Sequence, residues 1–113
     1  MNLDNETWLI EEGAKIIEKK SSEGFNSLSS LEKAVYDFWV IDYSVRNSGT
    51  LVPMRELSEN SISRLKEFAE DNNFHYLYSI LKLANDENTF CKTYYQSFDN
   101  ACKELRYFDK NGN

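Results

Sequence analysis

The amino-acid sequence predicts an all-α fold, a single-domain bundle of about five helices covering residues 1–113. Three observations carry that prediction. One proline and four glycines are all that punctuate the 113 residues, too few breaks for many short strands. Apolar residues recur three and four apart along most of the chain, the signature of amphipathic helices. Hydrophobic residues make up 41% and charged residues 28%, a globular balance that lets one core form without metal or disulfide help.

The first helix is expected from about Asn5 to Lys20, capped by Asp4 or Asn5. Its carboxylates Glu6, Glu11 and Glu12 lie early and Lys19 and Lys20 late, as the helix dipole favours. Leu9, Ile10, Ala14, Ile16 and Ile17 form its apolar stripe, and "SSEGFNS" ends it. The second helix opens at "SSLE", where Ser29 and Glu32 have the spacing of a capping box. It continues through "VYDFWVIDYSVRNSG" and stops at Asn47-Ser48-Gly49, because glycine accepts a left-handed terminus.

Pro53 suits the first turn of a short helical piece, "PMREL". A further helix covers about Asn60 to Asp71, with Ile62, Leu65, Phe68 and Ala69 facing inward. "DNN" interrupts, and "FHYLYSILKLA" resumes with Phe74, Leu77, Leu81 and Ala84 at helical spacing. The last helix is expected from roughly Asn88 to Phe108, behind a cap at Asp86 or Asn88. In it, Cys91, Tyr95, Phe98, Cys102 and Leu105 alternate four and three apart, an a/d seam that Phe90, Tyr94, Ala101 and Phe108 widen. Residues 109–113, "DKNGN", read as a frayed tail.

Nineteen acidic against thirteen basic residues give a formal charge of −6 and a pI near 4.8. Such a surface repels nucleic acid and anionic membrane and attracts basic partners; solubility alone would also account for it. The N-terminus has carboxylates among its apolar residues and lacks a signal-peptide pattern. No run reaches the ~18 apolar residues of a membrane span. The chain is therefore expected in the cytoplasm, without direct nucleic-acid or membrane binding.

Cys91 and Cys102 sit on one expected helix, about 16 Å apart, far beyond the ~7 Å reach of a disulfide. With His75 as the single histidine and no paired cysteine motif, neither a zinc site nor another cofactor is expected. Both thiols read as small core hydrophobes. His75 has no nucleophile at a signature spacing, and phosphate loops, H-E-x-x-H and G-x-S-x-G are absent. The sequence points away from catalysis.

The second helix raises a sharper question, because Asp37, Asp42 and Arg46 lie in a strongly apolar run. At about 100° per residue, Asp42 and Arg46 fall within the apolar face. Asp37 falls on the outer side, about 140° from Asp42, too far for an acid/base dyad. Asp42 and Arg46 are i, i+4 in the favourable order and read as a buried structural pair, with ligand binding or catalysis as the alternative. Tyr36, Val40 and Tyr43 also lie on the outer side. Either another helix covers them, or they meet a partner or a second copy in a homodimer. The candidate partner-binding carboxylates are Asp37, Glu67, Glu70, Asp71, Asp86 and Glu87, although Asp86 and Glu87 would also stabilise a helix start.

"EKAVYDFWVIDYSVRNSGTL" resembles the bacterial pattern x-VY-xx-WV-x-DY-x-x-RN-x-G, and "YYQSFDNACKELR" resembles its C-terminal companion block, YF-xx-FD-x-x-C-x-E-(I/L)-R. The resemblance covers roughly Leu31 to Phe108. It is to a small helical family of unknown function, distantly similar to one containing a bacterial DNA-mimic protein. It marks Trp39, Asp42, Arg46, Asn47, Gly49, Tyr95, Phe98, Asp99 and Glu104 as pattern positions, which read as fold determinants. An acidic face like that of a DNA mimic does not transfer residue by residue. The function expected is an acidic, non-enzymatic protein that neutralises a basic partner, such as an immunity protein against a nuclease-type toxin. The alternatives are a DNA-mimic regulator that sequesters a DNA-binding protein, and a small ligand-binding protein or enzyme using Asp42 and Arg46.

Overall fold

The computed structural model describes residues 3–110. They form six helices: α1 (Leu3–Glu23), α2 (Ser30–Ser48), α3 (Val52–Ser58), α4 (Ser61–Asp71), α5 (His75–Lys82) and α6 (Glu87–Lys110). Two short 3-10 turns, Phe25–Ser27 and Leu83–Asn85, join neighbours, and no strand occurs among the described residues. No helix among them is long and apolar enough to cross a membrane.

Local chemistry sets most boundaries. The Ser29 side chain accepts from the Glu32 N–H and the Glu32 carboxylate accepts from the Ser29 N–H, completing the capping box of α2. Gly49 ends that helix at φ 69°, in the left-handed region. Pro53 occupies the first turn of α3. Asn73 ends α4 at φ 59°, where the Phe74 N–H donates to the Ala69 carbonyl and the Asn73 N–H to that of Glu70. That is a Schellman closure, with asparagine in the place usually held by glycine. Asp86 caps α6 by accepting from the Thr89 N–H at 3.2 Å and the Thr89 hydroxyl at 2.8 Å.

Two terminal expectations are corrected. Asp4 and Asn5 lie inside α1, not ahead of it, and Asn5 is buried against α6. At the other end α6 extends through Asp109 and Lys110, so only residues 111–113 of the expected tail lie outside the described residues.

Helix α2 is the spine, packing against α1, α3, α4 and α6. One contiguous core joins Leu9 of α1, Phe38 and Ile41 of α2, Met54 of α3, Leu65 of α4, Leu77 of α5 and Phe98 of α6. Its apolar side chains are removed from water at ~25 cal/mol per Å². Gly13 lets α1 approach α2 closely, because a Cβ there would overlap the indole of Trp39.

The buried stripe of α6 differs from the expected seam. Phe90, Tyr94, Phe98, Ala101, Cys102 and Leu105 are buried, whereas Tyr95 is 41% exposed and Cys91 is half-buried. The seam is offset by one residue over the first turns, about 100° around the helix. Residue spacing identifies an apolar face, but the neighbouring helices choose its centre. Phe90, Tyr94 and Phe98 form a run of ring contacts there, which Phe38 of α2 joins.

Candidate functional site

Two aspartate–arginine pairs flank the spine. On the α6 side, Asp42 is 3% exposed. Arg46 Nε donates to both its oxygens at 2.9 Å, and the Tyr94 hydroxyl donates to Oδ1 at 2.6 Å. The Arg46 guanidinium lies over the rings of Tyr95 and Phe98, at 5.1 and 4.8 Å from their centroids. Glu6 of α1 stands 3.7 Å from its Nη1. Burial pushes the Asp42 carboxyl above the usual carboxylate range, against the opposing pull of Tyr94 and Arg46. Burial also pulls Arg46 down, but the Asp42 charge overrides it and holds the guanidinium above its ordinary value. Tyr94, enclosed beside that carboxylate, is raised well above an ordinary phenol.

This arrangement braces α2 against α6. Both Asp42 oxygens are occupied and the carboxylate is enclosed, so a substrate would have to displace Arg46 or Tyr94 to reach it. The Cys102 thiol, buried in the same region, is pushed up to about 12 by desolvation and stays protonated at neutral pH.

On the opposite side, Asp37 corrects the helical wheel. It is 1% exposed, not outward, and is unavailable as a partner contact. Helix α4 packs on that side of α2 and brings Arg64, whose Nη2 and Nε donate to Asp37 at 2.7 and 3.1 Å. Arg64 Nη2 also donates to the Ser58 hydroxyl at 2.9 Å, and the guanidinium lies over Phe25. Burial raises the Asp37 carboxyl, and Arg64 opposes the shift. Tyr36 and Val40 are buried too, Tyr36 with its ring edge-on to Phe25, while Tyr43 stays 41% exposed.

Three further polar side chains join distant helices. Asn5 donates to Asp99 at 3.2 Å and accepts from Arg106 at 2.7 Å, tying α1 to α6. Glu104 of α6 accepts from the Tyr76 and Leu77 N–H groups at 3.1 and 2.9 Å, capping α5 from outside. Glu87 does the same for α3, accepting from the Leu51 N–H and from Arg55, both at 3.0 Å. Neither α3 nor α5 has a side-chain cap from its own N-cap residue. Helix α6 supplies one for α5, while at α3 Glu87 is joined by the Thr50 and Ser44 hydroxyls, which accept from the Val52 and Met54 N–H groups. An S-x-x-E search cannot find such caps, since the glutamates lie 36 and 27 residues from the amides they hold.

The remaining candidate contacts therefore separate. Glu87 serves α3, and although Asp86 is exposed, it serves the start of α6. Glu67, Glu70 and Asp71 are exposed on the C-terminal half of α4, with no ion pair from them among the described residues. His75 is exposed at the start of α5 and lines a shallow cleft with Glu70, Tyr78 and Lys82. No three metal-ligating side chains converge among the described residues.

Comparison with protein-family models, with curated proteins and with solved structures finds no match.

Proposed function

We propose that this chain is an acidic, non-enzymatic protein that acts in the cytoplasm by binding and neutralising a basic protein. Its most concrete form is an immunity protein against a nuclease-type toxin. The observation that carries the reading is the end of α4. Glu67, Glu70 and Asp71 crowd its last turns, three and four residues apart, and no basic residue shares the last turn. Like charges at that spacing repel by a few tenths of a kcal/mol, and each opposes the negative end of the helix dipole. The arrangement works against the stability of α4 and suits attraction of a cationic surface. The four arginines add support, because Arg46, Arg55, Arg64 and Arg106 all make internal hydrogen bonds. Lysines are then the main exposed counterweight to the carboxylates.

The test is binding to the product of the adjacent gene and to native lysate, at low and moderate salt. A basic partner should bind the wild-type chain, weaken as salt rises, and lose most of its affinity for the Glu67→Lys/Glu70→Lys/Asp71→Lys variant. Inactivation of a bound nuclease would establish immunity. Displacement of a repressor from its operator would establish DNA mimicry instead. A chain that retains no salt-sensitive basic partner does not have this function.

A further inference from the structure

A groove of about 300 Å³ runs between α1, α2 and α3, lined by Ile17, Lys20, Tyr36, Trp39, Tyr43 and Leu57. Its floor is the stacked pair Trp39–Tyr43, with centroids 5.5 Å apart and planes 14° from parallel. Trp39 reaches this position because Gly13 has no side chain to exclude it. Two of the lining side chains are apolar and exposed, Leu57 at 55% and Tyr43 at 41%, and Ile10, one α1 stripe position before the lining, is 48% exposed. Ile10, Ala14 and Ile17 continue one stripe of α1 at i, i+4 and i+7. An aromatic floor between helical ridges is the geometry that receives the apolar face of an amphipathic helix, and tryptophan and tyrosine are the residue types that anchor such contacts.

The charges beside the groove select its occupant. Glu11 and Glu18 form the next stripe of α1, one residue beyond Ile10 and Ile17, and Glu56 precedes Leu57 on α3. All three are exposed and make no ion pair among the described residues. The lining cation, Lys20, has its ammonium over the Tyr36 ring, 5.5 Å from the centroid. A second copy of this chain would bring another formal −6 to the same place, whereas a basic segment brings the opposite charge.

The geometry points to this groove as the docking site for an amphipathic helical segment of the basic partner, apolar face on Trp39 and Tyr43 and lysines or arginines against Glu11, Glu18 and Glu56. The inference rests on the acidic-binder reading and adds a second contact surface, on the α1–α3 side of the spine, to the carboxylates of α4.

The probe is a synthetic cationic peptide with leucines at i, i+3, i+4 and i+7 and lysines elsewhere, compared with a scrambled isomer of identical charge that has no apolar face. The full chain should bind the amphipathic peptide and shift its tryptophan fluorescence, and the isomer should bind at least about tenfold more weakly. Leu57→Lys and Tyr43→Lys change exposed positions, should keep the wild-type circular dichroism, and should each weaken the peptide about tenfold or more. No binding at millimolar peptide, equal affinity for the two peptides, or wild-type affinity in both variants would overturn the proposal. So would self-association in sedimentation that Leu57→Lys abolishes, since a second copy would then be the occupant. A natural basic partner that binds wild type and Leu57→Lys equally removes this groove and leaves the acidic-binder reading standing. Absence of any basic partner removes that reading instead.

Discussion

Both aspartates buried in α2 are held by arginine, but they reach it by different routes. Asp42 has Arg46 one turn later on its own helix, and α6 closes the site with Tyr94. Asp37 has Lys33 one turn earlier, which adds only a small pull on its charge, and its hydrogen-bonded cation is Arg64, 27 residues away on α4. The first pair needs only that α2 be a helix. The second exists only once α4 has docked. The exposures differ as well: the Arg46 side chain is 17% exposed and that of Arg64 33%. Two chemically similar pairs on one helix can therefore differ in cost, in timing during folding, and in how far a sequence reveals them.

The largest expected effect is at Asp42. Asp42→Ala removes the acceptor shared by the Arg46 Nε and the enclosed Tyr94 hydroxyl, and should cost about 3–5 kcal/mol in urea unfolding. Asp37→Ala should cost less, about 2–3 kcal/mol, because Arg64 can turn toward water and keeps Ser58. Equal losses at the two sites would break the distinction between a sealed and a vented pair.

Tyr94→Phe removes one charge-assisted hydrogen bond and keeps the ring, and should cost about 1.5–2 kcal/mol. A Tyr94→Phe/Asp42→Ala cycle should show strong non-additivity, whereas Tyr94→Phe combined with Asp37→Ala should be additive. The same contrast between local and cross-helix contacts recurs in the caps. Ser29→Ala and Glu104→Ala should each cost about 1 kcal/mol. Hydrogen exchange should place the Ser29 effect in the first turn of α2 and the Glu104 effect in α5, although the mutated residue is on α6.

The smallest effect is the pH dependence. Burial holds both Asp37 and Asp42 above the ordinary carboxylate range, so the folded chain binds protons there that the unfolded chain does not. Stability from these groups consequently rises as pH falls from their folded values to about 4. Glu32 and Glu87, lowered mainly by backbone N–H bonds, act in the opposite sense. Their contribution is present above the ordinary carboxylate value and is lost as pH falls through their folded values. Urea midpoints between pH 7 and 4 should show the wild-type chain gaining on Asp37→Asn and Asp42→Asn. The reverse slope would mean that pairing with arginine outweighs burial.

Much of the site's framework was legible where the chemistry is local. The residues of the two sequence blocks have visible structural work: Trp39 lies on Gly13, Asn47 donates to the Tyr43 carbonyl, Gly49 ends α2, and Asp99 holds Asn5. Tyr95 misled the seam because helical spacing treats it like its neighbour Tyr94, yet it faces outward as a shelf for Arg46. Asp37 misled the wheel because an angle says which side a residue is on, not whether another helix will cover that side. The Trp39–Tyr43 groove was equally hidden, since its banks come from three helices.

By itself the sequence determined the all-helical class, the limits of α2 through Ser29, Glu32 and Gly49, and the pairing of Asp42 with Arg46. Each of these depends on interactions within about one helical turn. Tertiary structure alone decided that Arg64 would bury Asp37, that Glu87 and Glu104 would cap helices they do not belong to, and that Phe90 and Tyr94 would replace Cys91 and Tyr95 in the core. Those outcomes depend on which helix faces dock, and the docking is set by the joint packing of side chains from the whole chain.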